Sequence, residues 1–402
     1  MTRASSLRVL VLSRSYPNDV FPTLGLWVEQ PTVRLGRRHD VRVVSPVPWC
    51  PPLPQVGPLV QYARFRRVLR HEVRGGVVVE RPRFLVGPGS STYMAEARSM
   101  ARAVESAVER MHAERPFDLI HAHFVYPEGV VAHRLARKLG VPFLITEHAP
   151  WTGWLDRPGV ARQAIPAAKA AALLMPVSTS VERTIRAYAG VGPRTRVVPV
   201  PVDGELFRPT GSPRDPDRVL FVGFVNYVKG IDSLLRAMRH LVDRGSSARL
   251  VLVGGAHYRN TLRQQRELER LATDLALDGR VTFAGRKPPA EVARLMAESA
   301  LVVLPSRAES FGAVLVEALA CGTPVLATRC GGPEDIVDDE VGMLVPPGDL
   351  RALADGIAQM LASRDRYSPA LLRERALSRF AGDVVASQVS AAYEEAVERR
   401  RS

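Results

Sequence analysis

Two glutamates, a serine and a glycine in one short stretch could bind the hydroxyl and phosphate groups of a ligand. The stretch covers residues 304–337, LPSRAESFGAVLVEALACGTPVLATRCGGPEDIV. Its first apolar run ends at Leu304, and Ser310 is placed to cap a helix that begins near Phe311 and Gly312. Helix N-termini bind anions through their N–H groups, and a glycine lets an anion approach the backbone closely. We therefore expect a phosphate site at Gly312.

The two carboxylates of this stretch predict a different kind of contact. Because carboxylates repel a diphosphate, we expect Glu309 and Glu317 to accept hydrogen bonds from neutral hydroxyls, such as those of a sugar. Eight residues of continuous helix would separate the two by roughly 12 Å, the scale of a nucleotide-sugar. Alternatively, Glu309 only interacts with the helix dipole and Glu317 is a solvated helix residue. The surrounding residues favour ligand binding.

The same stretch resembles the donor site of retaining glycosyltransferases of family 4, which have the GT-B fold. The resemblance is carried by Ser306, Glu309, Phe311-Gly312, the run from Glu317 to Gly322, Pro324-Val325 and the run from Gly331 to Glu334. It covers nearly the whole chain and extends with less specificity to residues 117–149. It implies that Glu309 binds sugar hydroxyls and Glu317 ribose hydroxyls. The N–H groups of Ser310, Phe311 and Gly312 would meet the sugar and the phosphates.

A lysine in the second half is the expected cationic partner of the diphosphate. Lys229 lies in a V-K-G turn after the first apolar strand of that half, although a lone turn lysine can also be solvated. The family usually has an arginine directly after the glycine at the position of Gly223, and here Phe224 follows that glycine. Arg307, Arg329 or Arg286 could substitute for it, and the sequence does not choose between them.

The first half contributes a glycine and three histidines. Gly25 follows the first strand and is a candidate for backbone contact with phosphate or sugar, while Pro31 predicts that the following helix starts late or kinks. His148 lies where a strand ends, and we expect it to contact the donor sugar. His121 is expected to be structural. His123 is either structural or a contact on the acceptor side.

No paired Asp-x-Asp is placed to hold a metal on the diphosphate, because Asp215-Pro-Asp217 lies in a proline-rich segment. We therefore expect no metal and no cofactor other than the nucleotide-sugar co-substrate. Helix N–H groups and cations would stabilise the leaving diphosphate. The resemblance implies transfer on one face of the sugar, with the leaving phosphate oxygen helping to take the acceptor proton.

Short apolar runs alternate with amphipathic stretches, which predicts a parallel α/β architecture. The predicted strands cover residues 7–12, 41–44, 76–79, 119–124, 142–146, 219–222, 249–253, 281–284, 301–304 and 324–327, and predicted helices include 93–112 and 129–139. We predict two facing Rossmann-like domains, GT-B in class, with a ligand cleft at the carboxyl ends of their strands. The predicted division is an acceptor domain 1–197, a proline-rich linker 198–217, a donor domain 218–375 and a C-terminal helix 376–402. That helix has a partly apolar stripe, and the N-terminal domain is a candidate surface for it.

Composition excludes several classes of protein. The 402 residues are 46% hydrophobic and 24% charged, which is ordinary for a globular chain and excludes a disordered one. Three cysteines without C-x-x-C spacing suggest neither a disulfide framework nor a zinc site. The sequence has no apolar run of signal-peptide or membrane-span length, so we expect a cytoplasmic protein, with peripheral attachment to the inner face of the membrane as an option.

The acceptor side is predicted in residues 46–60 and 61–74. The second segment interleaves basic residues, among them Arg64, Arg66 and Arg67, with apolar ones. Such a stretch can lie on an anionic membrane, where polyprenol-linked acceptors reside, or it can be a solvated charged face. The net charge is +14, but no nucleic-acid-reading motif accompanies it, so nucleic acid is an unlikely partner.

The leading hypothesis is a hexosyltransferase that uses a UDP- or GDP-sugar and a glycan or lipid-linked acceptor in polysaccharide or glycolipid biosynthesis. One alternative is a nucleotide-sugar epimerase-like enzyme on the same fold. The other is a non-catalytic basic GT-B scaffold that binds membrane.

Overall fold

The computed structural model describes residues 6–49, 63–87, 94–153, 155–190, 192, 194–255 and 259–401. The chain forms two compact units, which are Met1–Pro199 with Gly382–Ser402, and Val200–Ala381. The boundaries differ from the predicted ones. Most of the predicted linker 198–217 belongs to the second unit, and the predicted C-terminal helix 376–402 is divided after Ala381.

Nine strands build the two sheets of the first unit. They are β1 Arg8–Leu12, β2 Asp40–Val44, β3 Val47–Trp49, β4 His71–Arg74, β5 Val77–Glu80, β6 Arg83–Leu85, β7 Leu119–His123, β8 Phe143–Glu147 and β9 Leu173–Pro176. The main sheet has the order β4-β5-β2-β1-β7-β8-β9, while β3 and β6 form a separate parallel pair. Every pairing in the main sheet is parallel except that of β4 with β5. The central strands β1, β7 and β8 are buried along their whole length, as expected for a parallel sheet covered on both faces.

Six helices complete this unit: α1 Leu26–Leu35, α2 Glu96–Glu114, α3 Val130–Leu139, α4 Pro158–Ala170, α5 Thr179–Ala189 and, from the C-terminus, α12 Gly382–Arg401. A π-helical turn, Val125–Gly129, joins β7 to α3. The expectation that the first helix starts late is wrong, because α1 begins directly after Gly25 and continues through Pro31. The free energy gained by burying Val28 and Leu35 in the core offsets the loss of the helical hydrogen bond that Pro31 cannot donate.

The C-terminal helix α12 packs into the core of the first unit. Its buried residues Val385, Val389 and Tyr393 lie in the same apolar cluster as β1 and β2. Two histidines fix it laterally: His39 Nε2 lies 2.8 Å from the hydroxyl of Ser390, and His121 Nδ1 lies 2.7 Å from that of Tyr393. The apolar stripe predicted from sequence is therefore a buried face.

The second unit contains one parallel sheet with the order β12-β11-β10-β13-β14-β15. Its strands are β10 Asp215–Gly223, β11 Arg249–Gly254, β12 Val281–Gly285, β13 Ser299–Leu304, β14 Val325–Thr328 and β15 Gly342–Val345. Its helices are α6 Ile231–Asp243, α7 Arg259–Asp274, α8 Pro289–Ala297, α9 Ala313–Ala320, α10 Leu350–Ala362 and α11 Pro369–Phe380, with 3₁₀ turns at Gly332–Asp335 and Arg364–Arg366. Neighbouring strands in the order of this sheet include β10 and β13, which are far apart in sequence. All ten strands predicted from apolar runs are confirmed, with ends that shift by a few residues.

The basic segment 61–74 is not one continuous amphipathic element. A short 3₁₀ turn covers residues 63–67, and β4 then pairs with β5 as a hairpin. Residues 50–62, which include most of the other predicted acceptor segment, lie outside the described residues. None of the helices in the described part of the chain combines the length and apolar character that a membrane span requires.

Burial of His121 predicts a specific pH dependence of stability. Its ring lies between Tyr393 and the hydroxyl of Thr146, 2.7 Å from Nε2, and burial lowers its pKa to about 3. The unfolded state therefore binds a proton near pH 6.5 that the folded state refuses, so the free energy of unfolding falls as the pH drops below that value. The change from pH 7 to pH 5 is about 2 kcal/mol for this one group.

We expect His121→Gln to lose about 2 kcal/mol less stability than the wild type between pH 7 and pH 5. All four tryptophans lie in the first unit, so denaturant titrations followed by tryptophan fluorescence report its unfolding. The exposed His71→Gln variant is the control and should keep the wild-type slope. Identical slopes for wild type and His121→Gln would contradict the assignment.

Candidate functional site

In the second unit, the loops after β10 and β13 bring a lysine and a glutamate together. Because β10 and β13 are parallel neighbours, their carboxyl ends lie side by side. Lys229 Nζ lies 2.5 Å from Glu309 Oε2, and Ser306 donates a hydrogen bond of 3.2 Å to the same oxygen. The side chains of Lys229 and Glu309 are 21% and 15% exposed, so the pair is shielded but reachable from solvent.

Arg307 joins these two loops through hydrogen bonds and an ion pair. Its guanidinium donates to both carboxylate oxygens of Asp232, at 2.8 and 2.7 Å, and to the carbonyl of Tyr227. The backbone N–H of Arg307 donates to the carbonyl of Val228. Of the three arginines predicted to replace the family's phosphate arginine, Arg307 is therefore committed to an ion pair.

The other two candidates are exposed. Arg286 follows β12 and Arg329 follows β14, both at the carboxyl edge of the sheet. Phe224, at the position where the family usually has arginine, is 48% exposed after β10. An exposed aromatic ring therefore occupies the position where the family usually has the charge of an arginine.

The phosphate-binding helix predicted after Leu304 is α9, but its start differs from the prediction. Ser310 does not cap it; Gly312 is the N-cap residue, with φ 98°, and no side chain caps the helix. Glycine suits this left-handed conformation, which other residues adopt at a cost. The backbone of Phe311 is in turn pressed against Gly332, where an added Cβ would lie 2.2 Å from the Cα of Phe311. The N-terminus of α9 is thus held by backbone packing.

Glu317 lies on α9, one turn after its first residue. The expected 12 Å spacing from Glu309 assumed continuous helix, and that assumption is wrong because residues 309–312 are not helical. Burial raises the pKa of the Glu317 carboxyl to about 7, so at neutral pH it can both donate and accept hydrogen bonds. Such a group suits hydroxyls better than phosphate.

In the first unit, two of the three candidate histidines form a pair at the ends of β7 and β8. The strands pair so that His123 lies opposite Thr146, and His123 Nδ1 is 2.9 Å from His148 Nε2. Burial lowers the pKa of His148 to about 3 and the pKa of His123 well below its usual value, so both rings are neutral. Among the described residues, neither His123 Nε2 nor His148 Nδ1 has a hydrogen-bond partner.

A cavity of about 180 Å³ lies next to this pair. It is lined by Arg14, Ser15, Phe124, Val125, Tyr126, Glu147, Ala149, Pro150, Trp151 and Leu155. Glu147 shapes it by accepting hydrogen bonds from the N–H of Val125, at 2.9 Å, and the indole N–H of Trp151, at 3.0 Å. Phe124 has φ 72°, a strained conformation for a side chain of this size, and strain of this kind concentrates at functional sites.

The arginine in this cavity is already neutralised. Arg14 pairs with Glu96 and, at 3.5 Å, with Glu128. Glu128 is fully buried, which raises the pKa of its carboxyl to about 7. Neither Arg14 nor Glu128 was predicted from the sequence as a site residue. Arg14 could have been found from its place two residues after the first apolar strand, whereas nothing local to Glu128 distinguishes it from a helix residue.

The remaining predicted residues are placed as follows. Packing within the first unit requires a glycine at position 25, because a Cβ there would lie 2.0 Å from the carbonyl oxygen of Ser15. Arg64 and Arg67 are exposed, and Arg66 is half-buried. No group of three or more His, Cys, Asp or Glu side chains that could hold a metal ion occurs in the described ranges.

Comparison with known proteins gives consistent matches. Residues 202–376 match the model for glycosyl transferases group 1, and residues 29–206 match that for glycosyltransferase family 4. A D-inositol 3-phosphate glycosyltransferase from Acidothermus cellulolyticus is 32% identical over 327 residues, covering 75% of this chain and 72% of that protein. A Bacillus subtilis glycosyltransferase named for teichuronic acid biosynthesis is 26% identical over 370 residues, covering 88% and 89%.

Solved structures share the fold. Sucrose-phosphate synthase from Thermosynechococcus elongatus superposes with a TM-score of 0.78 at 23% identity, covering 98% of this chain and 100% of that one. Anabaena HepE in complex with UDP-glucose gives 0.71 at 22% identity, covering 96% and 99%. The chain therefore belongs to the group 1 glycosyltransferases of family 4, and it has their GT-B fold.

Proposed function

We propose that this glycosyltransferase moves a hexose from a UDP- or GDP-sugar to a hydroxyl of a glycan or lipid-linked acceptor, with retention and without a metal ion. The observation that carries the proposal is the Lys229–Glu309 pair beside the N-terminus of α9. Cation, carboxylate and helix N–H groups converge there, which is what a sugar joined to a diphosphate requires. HepE, a structural neighbour, binds UDP-glucose, which supports a nucleotide-sugar as donor.

The ion pair explains how the site can be ready before the donor arrives. The ammonium of Lys229 donates to Glu309, and the backbone N–H of Lys229 donates to Asn226 Oδ1. A diphosphate would compete for the ammonium, which leaves the Glu309 carboxylate to accept hydrogen bonds from the sugar. Preorganised charges of this kind stabilise a leaving group without reorganisation during the reaction.

The transfer step needs no protein nucleophile. The bond between the anomeric carbon and the phosphate oxygen breaks, the acceptor oxygen bonds to the same face, and its proton passes to the leaving phosphate oxygen. Lys229 and the N–H groups at the start of α9 would stabilise the negative charge that develops on the diphosphate. The protein then contributes position and electrostatics.

The cavity of the first unit supports a neutral ring as the acceptor group. Its volume of about 180 Å³ suits a single sugar ring, and Phe124, Tyr126 and Trp151 give it an apolar aromatic lining. Because two glutamates pair with Arg14, a phosphate there would compete with two carboxylates for the guanidinium. We therefore favour a neutral glycan terminus over the phosphorylated acceptors named for several relatives. His148, next to this cavity, remains our candidate for contact with the donor sugar.

Glu309→Gln tests the donor site directly. The amide keeps the size of the side chain but loses the charge that accepts hydrogen bonds from sugar hydroxyls, so we expect transfer to fall roughly 100-fold or more. The measurement is sugar transfer from the donor that most raises the melting temperature of the wild type. Glu340→Gln, an exposed carboxylate in the same unit, is the control. Undiminished transfer by a folded Glu309→Gln protein would contradict the assignment of Glu309 to the donor site. Donor turnover without any acceptor would favour the epimerase-like alternative.

Lys229→Met separates donor binding from the chemical step. Loss of a charge-assisted bond to the diphosphate, worth about 1.5–3 kcal/mol, should raise the donor Kd about ten- to a hundred-fold by titration calorimetry. Lys287→Met removes a lysine that pairs with Glu291 in the same unit and should leave the Kd unchanged. Equal donor affinity in both variants would show that Lys229 does not contact the diphosphate.

Membrane attachment is proposed from residues around the 3₁₀ turn. Arg64 and Arg67 are exposed there, and Leu69 and Val73 nearby are 53% and 67% exposed, a combination suited to an anionic lipid surface. Because each basic residue contributes about 1 kcal/mol, the double variant Arg64→Gln, Arg67→Gln should bind phosphatidylglycerol vesicles roughly 30-fold more weakly in co-sedimentation.

The control for the vesicle experiment is Arg162→Gln, Arg183→Gln, which removes two exposed charges elsewhere in the first unit. Equal losses in both double variants would mean that net charge alone attracts the protein. No sedimentation of the wild type would remove the proposal of a membrane surface.

A further inference from the structure

A second, larger cavity lies in the first unit, away from the paired histidines. Its volume is about 500 Å³, within the range of small-molecule sites. Its lining is Trp49, Arg70, His71, Glu80, Arg81, Pro82, Arg83, Ala103, Ser106, Ala107 and Arg110. The strand β5, whose end contributes Glu80, is separated from β1 by β2, whereas the histidines follow β7 and β8 on the other side of β1. This basic cavity is therefore distinct from the site described above.

Two arginines of the basic cavity have no carboxylate partner among the described residues. Arg83 donates hydrogen bonds only to neutral carbonyls, those of Phe65 at 2.6 Å, Arg66 at 3.2 Å and Val68 at 2.7 Å. The pKa of Arg83 is lowered, first by burial and then by the positive charge of Arg70. The two guanidinium groups therefore lie close enough to repel each other.

The carboxylates nearest in the fold are already committed. Glu80, the one acidic residue of the lining, pairs with Arg110 at 3.1 Å. Glu72, in the neighbouring strand, pairs with Arg81 and Arg74. Residues 50–62 and 88–93, which the structure does not describe, contain no aspartate or glutamate, so they cannot supply the missing negative charge.

We propose that the basic cavity binds the oxyanion of a phosphate-bearing ligand about the size of a sugar phosphate. An oxyanion between Arg70 and Arg83 would relieve their repulsion and form charge-assisted hydrogen bonds with both. A phosphate alone would leave much of the volume empty, and Trp49 and Ser106 offer an apolar surface and a hydroxyl to the rest of the ligand. The inference does not depend on the proposed function, since it concerns binding at another site.

The test is titration calorimetry on the full chain in phosphate-free buffer, with glucose 6-phosphate as probe, inorganic phosphate as the bare oxyanion and glucose as the neutral match. We expect glucose 6-phosphate to bind at least as well as phosphate, glucose not to bind, and affinity to fall with salt. Arg70 is exposed, so Arg70→Gln should fold normally and weaken binding about ten-fold, the loss of one charge-assisted bond.

Two more variants make the pattern specific. Glu80→Gln removes the only acid of the lining and releases Arg110, so it should bind the probe more tightly than the wild type. Arg98→Gln removes an exposed arginine of α2 that does not line the cavity, so it should not change binding. Absence of phosphate binding, or equal effects of Arg70→Gln and Arg98→Gln, would overturn the proposal of a sugar-phosphate-sized ligand. A different result would be vesicle binding: Arg70→Gln would weaken, and Glu80→Gln would strengthen, binding to phosphatidylglycerol vesicles. In that case the oxyanion belongs to a lipid headgroup.

Discussion

Parallel pairing of β10 with β13 is the constraint on which the candidate donor site depends. It places the ends of two strands side by side although Lys229 and Glu309 are 80 residues apart in sequence. Arg307 then cross-links the loops that follow the two strands, and Gly332 lets another segment pack directly on the backbone of Phe311. The loops that carry the two charges are thus fixed by Arg307 and by backbone packing, which is how a site can be rigid before binding.

The paired histidines of the first unit are also positioned by strand register, but their charge state is set by desolvation. Pairing of β7 with β8 aligns His123 with Thr146 and brings His148 within hydrogen-bond distance of His123. Desolvation then keeps these rings neutral, whereas His121 has hydroxyl partners at both ring nitrogens, that of Tyr393 on α12 and that of Thr146 on β8. Position along β7 therefore separates the structural His121 from His123. His123 and its partner His148 each keep one ring nitrogen without a hydrogen-bond partner among the described residues. An unsatisfied buried polar group costs about 1–3 kcal/mol, so a bound group that supplied the missing partner would be favoured.

Much of this architecture could be predicted from sequence because buried parallel strands are short apolar runs, and all ten predicted strands are present. The loops could not be predicted in the same way. Ser310 looked like a helix cap, but packing of Gly312 and Phe311 starts α9 later, and the assumed helical spacing from Glu309 to Glu317 failed with it. The hairpin that β4 forms at the end of the segment 61–74 was not predicted, because β4 finds a partner in β5 that no local pattern indicates. The Lys229–Glu309 contact depends on strand order, which composition and periodicity do not contain.

Arginine use clarifies what the positive charge of the chain means. Only four of the 55 cationic residues are lysines, so 51 are arginines. Many of these arginines are internal cross-links: Arg373, for example, donates to the carbonyls of Phe207, Ala320 and Gly204. The planar guanidinium can join several fixed acceptors at once, while an ammonium is a compact charge on a flexible stem. A lysine at position 229 therefore fits the proposed function better than a cross-linking arginine would, since that proposal requires its charge to leave Glu309 for a diphosphate. By the same reasoning, net charge is evidence for an anionic ligand only where, as at Arg70 and Arg83, no carboxylate of the described chain takes up the charge.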